Sequence, residues 1–149
     1  MAGADHRTVA VSPMMRREGG FTSAAILTVG MVVQEASTGK LAASAVASTI
    51  YEGGEAVVME APERGKGIYS SGTTENTYAV DEEIPVCLPR RGEKILLLLT
   101  SGQVVARAGY LEIASTGKAI AHAGTNLAYA RALEALSPSQ DALILARKL

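Results

Sequence analysis

Turn-forming residues recur through the second half of the chain, roughly every 8 to 12 residues. Gly, Ser and Asn separate short apolar segments there, among them GYLEIA, KAIAHA and the terminal DALILARKL. Segments of this length between turn residues are typical of antiparallel strands. The sequence therefore predicts a mainly β fold, either a small antiparallel barrel or a sandwich, with at most one or two short helices. Residues 126–136 are where a short helix competes with a strand.

Two apolar runs stand out, IPVCLP at residues 84–89 and EKILLLLT at residues 93–100. Arg90, Arg91 and Gly92 separate them, so the pattern predicts a β-hairpin. The second run has no apolar and polar alternation, which indicates a strand covered on both faces. We expect the core of the chain to cover one face and a neighbouring subunit to cover the other. This places Leu97 and Leu99 at a predicted subunit interface.

The pentapeptide Ala-Ser-Thr-Gly-Lys occurs twice, at residues 36–40 and 114–118. Each copy follows an apolar strand that begins with Gly and precedes an Ala-rich segment. The pattern predicts two hairpin turns in which Gly adopts positive φ. It does not fit a phosphate-binding loop, because Gln34 and Glu112 replace the required first Gly and because no Ser or Thr follows either Lys.

The start of the chain differs from the rest in composition. Residues 1–24 mix small, charged and Gly residues without helical or strand periodicity, so we predict an extended N-terminal arm. Residues 25–149 form one predicted β-rich domain, with a long loop at residues 62–83. We expect removal of residues 1–20 to leave this domain folded and to weaken the binding of a partner.

Charge and composition exclude several classes of protein. The chain has 14 Lys and Arg against 15 Asp and Glu, a net charge of -1, so no global excess attracts nucleic acid. No apolar run is long enough to cross a membrane. Apolar residues make up 48% of the chain but aromatic residues only 4%. Because small side chains bury little area, a lone monomer would have a thin core, and we expect self-association.

Few side chains offer chemistry. The histidines are His6 and His122, and the single Cys87 lies in an apolar run where it is best interpreted as a buried hydrophobe. No G-x-S-x-G motif accompanies the histidines, and no Cys and His spacing fits a metal site. We therefore expect no enzyme activity, no cofactor, no metal and no small-molecule substrate. His122, on a strand of small residues, is interpreted as a surface or interface residue.

The last forty residues resemble the head decoration, or cement, proteins of tailed bacteriophages. The resemblance lies in a succession of short strands and small-residue turns, with Ala130 at a position where the family pattern has Gly. The matching segments are 108–111 (AGYL), 116–118 (TGK), 119–123 (AIAHA), 124–126 (GTN), 130–135 (ARALEA) and 141–149.

This resemblance implies a β-tulip-like trimer on the outer surface of the expanded head, made in the host cytoplasm, that ties adjacent major capsid proteins together. It places capsid contacts in the N-terminal arm, where Arg7, Arg16 and Arg17 are the candidates. Tyr110 and His122 join Leu97 and Leu99 as candidates for the subunit interface. The alternative is a β module that binds carbohydrate or a host surface, for which exposed aromatic residues would form the platform.

Overall fold

The computed structural model describes residues 8–43, 56–67, 76–124 and 126–149. Within these residues strands are the main regular structure, with one 3-10 helix at Pro62–Arg64. The strands are β1 (Arg16–Thr22), β2 (Leu27–Thr28), β3 (Val32–Glu35), β4 (Leu41–Ala43), β5 (Ala56–Val58), β6 (Thr77–Tyr78), β7 (Glu83–Leu88), β8 (Lys94–Leu99), β9 (Tyr110–Ile113), β10 (Ala119–Ala121), β11 (Ala128–Ala132) and β12 (Ala142–Lys148). No helix in the described ranges is long and apolar enough to span a bilayer.

The second half of the chain forms a closed five-stranded barrel in the order β10-β8-β12-β11-β9. All its neighbouring strands are antiparallel except β10 and β8, which meet in parallel at Ala119 and Leu99. Alternate residues of each strand fill the interior. Those with no exposed surface are Ile95, Leu97, Leu99, Leu111, Ile113, Ala130, Ile144 and Ala146. The predicted mainly β fold with a small barrel is therefore confirmed.

The first half of the chain supplies an open sheet in the order β1-β7-β5-β3-β4, together with the short pair β2 and β6. Its central strands are rich in Val, which suits a pleated, half-buried surface. Val32, Val57 and Ile84 are fully buried there. Sheet and barrel share one apolar cluster, so the two halves of the chain pack as a single core.

The predicted hairpin between β7 and β8 is wrong. β7 lies between β1 and β5 in the open sheet, whereas β8 lies between β10 and β12 in the barrel. The turn that contains Arg90 and Arg91 therefore carries the chain from one sheet to the other. It is held by the Gly92 N–H, which donates to the Lys148 carbonyl at 2.8 Å, and by the Arg90 N–H, which donates to the Glu93 carboxylate at 2.7 Å.

Both faces of β8 are covered, as predicted, but the chain itself covers both of them. Leu97 and Leu99 face the barrel interior and are 0% exposed, so they offer no surface to a second subunit. On the opposite face Leu96 and Leu98 are only 5% and 4% exposed. The assignment of Leu97 and Leu99 to a subunit interface is therefore wrong.

The predicted N-terminal arm is wrong for residues 8–24. β1 pairs with β7 over its whole length, apart from an irregularity between Glu18 and Phe21. Before it, Val9 is 0% exposed, and its carbonyl accepts a hydrogen bond from the Leu96 N–H of β8 at 3.0 Å. Removal of residues 1–20 would break this pairing and uncover part of the core, so we now expect the truncated chain to be destabilised. Residues 1–7 lie outside the described residues.

Both Ala-Ser-Thr-Gly-Lys segments form the predicted hairpin turns. Residues 36–40 join β3 to β4, and residues 114–118 join β9 to β10. The glycines have φ of 81° and 79°, the left-handed conformation that Gly adopts without strain.

Two further segments can be compared with their predictions. The long loop predicted at residues 62–83, with at most short strands, contains the short 3-10 helix and the two-residue strand β6, while its residues 68–75 lie outside the described residues. Residues 126–136, where a helix was the competing prediction, contain β11.

Candidate functional site

A groove of about 250 Å³ opens at one end of the barrel, between the loop that precedes β9 and the end of β10. The main-chain N–H of His122 donates to the carbonyl of Tyr110 at 2.9 Å and so fixes the two residues side by side. Two of the four predicted interface residues therefore meet in one place. The groove is lined by Val104, Val105, Ala106, Gly109, Tyr110, Ala121 and His122.

The rim of this groove exposes apolar surface. Val104 is 76% exposed and Tyr110 is 51% exposed, although neither position is needed to complete the core. Exposed apolar and aromatic side chains that stand together are typical of surfaces that bind another protein or a ligand. The sequence alone did not single out Val104, because the segment QVVARAG does not show which of its two Val residues is exposed.

Local hydrogen bonds fix the wall of the groove. Val105 is buried, and its N–H and carbonyl pair with Leu136 at 3.0 and 2.9 Å. The Gly109 N–H donates to the Ala106 carbonyl at 2.9 Å, which closes the turn before β9. On the other side, the Ala121 N–H donates to the side-chain oxygen of Gln103 at 3.0 Å. The groove is therefore formed by backbone that is already paired.

A buried carboxylate lies beneath His122. Glu112 is 0% exposed, and its oxygens accept hydrogen bonds from the N–H groups of Ala123 at 2.6 Å and Asn126 at 2.9 Å. The Nδ1 of His122 lies 3.3 Å from Glu112 Oε1. This contact orients the imidazole at the groove, and the two backbone bonds hold the segment after β10 against the barrel wall. The sequence alone did not point to Glu112, because nothing in its position between Leu111 and Ile113 indicates that it lies next to His122 in the fold.

The chemistry that this arrangement supports is recognition. Ser-His-acid catalysis needs a nucleophile beside the imidazole, and among the residues that the structure describes, those that line the groove include no Ser, Thr or Cys. Within the described ranges, no three His, Cys, Asp or Glu side chains come together as a potential metal site. The groove combines one phenol, one imidazole and small apolar side chains, which suits contact with another surface.

Cys87 lies far from this chemistry, on β7 in the open sheet. It is 0% exposed, and burial raises the pKa of its thiol to about 12, with the negative charge of Glu60 adding to the effect. A thiol in this environment is a poor nucleophile. The interpretation of Cys87 as a small buried hydrophobe is confirmed.

The candidate arginines lie apart from the groove, at the start of β1 on the edge of the open sheet. Arg16 forms an ion pair with Glu18 at 2.5 Å and keeps 63% of its side chain exposed. Arg17 donates to the carbonyl of Ala10 at 3.4 Å, which ties β1 to the preceding segment. Arg7 lies outside the described residues.

In comparisons with known proteins, the chain matches no protein-family model, and no curated protein is significantly similar to it. The candidate site is therefore argued from its own residues.

Proposed function

We propose that this chain is a structural protein of a virion. In this proposal it binds the outer surface of a tailed-phage capsid as a homotrimer, cements adjacent major capsid proteins and stabilises the expanded head. The observation that carries the proposal is the apolar groove at the barrel end, where Tyr110 and His122 meet the exposed Val104.

The groove supports self-association because of its composition and its rigidity. Tyr is enriched at protein interfaces, where its ring buries area and its hydroxyl stays hydrogen-bonded. The backbone around the groove is already paired, so a second copy could dock with little loss of conformational entropy. A trimer needs a heterologous contact, in which the groove of one copy receives a different surface of the next. Tyr110 and His122 are the predicted interface residues that remain available for this contact.

The edge of the open sheet supports attachment to a second protein. β1 is an edge strand with Gly19 and Gly20 exposed, and the guanidinium of Arg16 is accessible beside it. An unpaired edge can accept a strand from a partner, and Arg provides donors for carboxylates. In this proposal Arg16 contacts the capsid directly, Arg17 positions β1, and Arg7 remains a candidate outside the described residues.

The test is the mass of the protein in solution together with its binding to heads. Sedimentation equilibrium is expected to give three times the 15.4 kDa chain, and the protein is expected to cosediment with expanded, undecorated heads of the virus that encodes it. Val104→Asp should dissociate the trimer, because it places a charge in the apolar contact. Val80→Asp is the matched control, since Val80 is also exposed, at 54%, but lies outside the groove.

The alternative function, binding of carbohydrate or a host surface, would use Tyr110 as its platform. Of the described tyrosines, Tyr78 and Tyr129 are buried and Tyr110 is exposed, whereas Tyr51 and Tyr69 lie outside the described residues. A glycan array separates the two functions. A monomer that binds glycans but not heads, with affinity lost in Tyr110→Ala, would overturn the cement proposal in favour of the alternative.

A further inference from the structure

Three basic side chains stand in a row across neighbouring strands of the barrel. Lys94 on β8 lies directly opposite Arg147 on β12, and Arg147 lies directly opposite Arg131 on β11. Directly opposite residues of antiparallel strands share one face of the sheet. Strands are about 4.8 Å apart, so the row spans about 10 Å. All three residues are exposed.

This row of like charges is unfavourable for the stability of the sheet. Like charges directly opposite each other destabilise a strand pair, and here two such pairs follow one another. Within the described part of the chain, no carboxylate lies within ion-pair distance of Lys94, Arg131 or Arg147. The two guanidinium groups donate instead to main-chain carbonyls, Arg131 to Ala108 at 3.2 Å and Arg147 to Gly92 at 3.1 Å. Such hydrogen bonds orient the cations but leave their charge uncompensated.

The turn between the two sheets adds to this positive charge. Arg90 and Arg91 are exposed in that turn, which the hydrogen bond from Arg147 to the Gly92 carbonyl holds beside the row. We call Arg90, Arg91, Lys94, Arg131 and Arg147 the basic surface. It concentrates positive charge on one part of a chain whose net charge is -1.

We infer that the basic surface is a docking site for an acidic protein surface. Binding would supply the carboxylates that the fold leaves out and would relieve the repulsion within the row. Arg is suited to this role, because its planar guanidinium binds a carboxylate through two parallel hydrogen bonds.

An acidic protein surface fits better than nucleic acid. The Glu93 carboxylate borders the basic surface in the turn. Duplex DNA carries a phosphate charge about every 1.7 Å along a stiff axis, so it cannot keep its charge away from Glu93, whereas a polypeptide can place its more widely spaced carboxylates opposite the basic side chains alone. The balanced net charge also provides no long-range attraction for a phosphate backbone.

The basic surface is continuous with the groove. Arg131 pairs across the strands with Tyr110 on β9, so the charged row leads directly to the aromatic rim of the groove. The identification of the acidic partner with a capsid rests on the proposed function, whereas the charge argument does not depend on it.

The experiment measures binding of the full chain to three immobilised probes: expanded heads, poly-L-glutamate and a short DNA duplex. Each is tested at about 50 mM and about 200 mM salt, since electrostatic binding weakens as salt rises. The charge-reversal variants are Lys94→Glu and Arg147→Glu. Lys40→Glu is the matched control, because it changes the net charge equally but lies on the turn between β3 and β4. Thermal denaturation shows whether each variant folds. If Arg147→Glu is unstable, Lys94→Glu remains as the test, because within the described residues the Lys94 ammonium group makes no hydrogen bond or ion pair that the substitution would remove.

The expected result is that each reversal on the basic surface weakens binding to poly-L-glutamate about tenfold at low salt, with Lys40→Glu close to the parent. Binding to heads should fall in parallel. If the parent binds poly-L-glutamate in this way but not heads, the docking site stands and the capsid proposal fails. If the folded reversal variants bind poly-L-glutamate like the parent, or if the parent binds DNA more tightly than poly-L-glutamate, the inference is overturned. If the parent binds no probe, it is overturned as well.

Discussion

The two Ala-Ser-Thr-Gly-Lys turns have the same sequence and the same backbone but different surroundings. In each, the first Ala N–H donates to the Lys carbonyl, at 2.8 Å in the first turn and 3.0 Å in the second, and the Gly N–H donates back to the Ala carbonyl at 2.9 Å in both. In the first turn, the Ser, Thr and Gly are exposed to solvent. The second lies against the open sheet, where the Gly117 carbonyl accepts a hydrogen bond from the Val32 N–H at 2.8 Å.

Space around the glycine shows the difference most clearly. A Cβ at Gly39 would meet only the Glu35 carboxylate, at 3.8 Å, whereas a Cβ at Gly117 would lie 2.7 Å from the Val32 carbonyl oxygen and 3.1 Å from the Ala43 Cβ. Gly39 is therefore required for the turn itself. Gly117 is required for the turn and also for the junction between barrel and sheet. Local sequence fixes the shape of such a turn, and its place in the fold decides what else it does.

Gly→Ala at the two positions should separate these roles and give the largest effect. Gly39→Ala is expected to cost about 1 kcal/mol of unfolding free energy, because it forces Ala into the left-handed conformation. Gly117→Ala adds a clash with backbone, so we expect about 2 to 4 kcal/mol. Urea denaturation of both variants measures the difference. Equal losses would show that the second turn is no more tightly packed than the first.

The lysines of the two turns also differ in their partners. Lys118 donates to Asp141 at 2.7 Å, and Asp141 also accepts a hydrogen bond from the Ser101 N–H at 2.8 Å, with about a third of each ion-paired side chain exposed. Lys40 pairs with Asp81 in a more exposed setting, where 63% of the Asp side chain is open to solvent. We expect Asp141→Asn to cost about 1 kcal/mol and Asp81→Asn less than about 0.5 kcal/mol in urea denaturation. A larger loss for Asp81→Asn would contradict this ranking.

The pH dependence of stability tests the ionic contribution of Asp141 in the second turn. Burial alone would raise the pKa of Asp141, but the hydrogen bonds from Lys118 and Ser101 outweigh it and lower the pKa below its usual value. A carboxyl with a lowered pKa in the folded state contributes stability above its unfolded pKa, about 3.9, and loses it as the pH falls through the folded value. The difference in unfolding free energy between the parent and Asp141→Asn should therefore be constant near neutral pH and shrink below about pH 4. A difference that persists at pH 2 would exclude this ionic contribution.

The smallest effect is expected where the turns are alike. In both, the Thr hydroxyl accepts a hydrogen bond from the Lys N–H, at 3.5 Å from Thr38 and at 3.4 Å from Thr116. Bonds of this length in water contribute little. Thr38→Val and Thr116→Val should each change stability by less than about 0.5 kcal/mol and by the same amount. A clear difference between them would mean that the turns differ in more than their surroundings.

Much of the fold was predictable because its signals are local. Turn residues and short apolar runs correctly indicated a mainly β chain, both Ala-Ser-Thr-Gly-Lys hairpins, and strands that overlap residues 84–89 and 93–100. Strand pairing was not predictable in the same way. β7 and β8 are adjacent in sequence, yet each pairs with strands far away. β8 is bordered by β12 on one edge and by β10 and the backbone of Val9 and Gly30 on the other.

The same limit applies to the candidate surfaces. Residues 8–24 have no periodicity that distinguishes a paired edge strand from a free arm, since β1 contains two glycines and three charged residues. Leu97 was assigned to an interface because a continuous apolar run cannot show which surface covers it. Lys94 and Arg131 are 37 positions apart and Arg131 and Arg147 are 16 apart, and only the register of β8, β12 and β11 brings the three together.

We propose that this chain assembles as a trimer on the outside of a capsid. Electron microscopy of expanded heads incubated with the full chain tests it most directly. We expect added density with three-fold symmetry on the outer surface, absent from heads incubated with Val104→Asp. Bare heads at saturating protein, or density for isolated single copies, would contradict it.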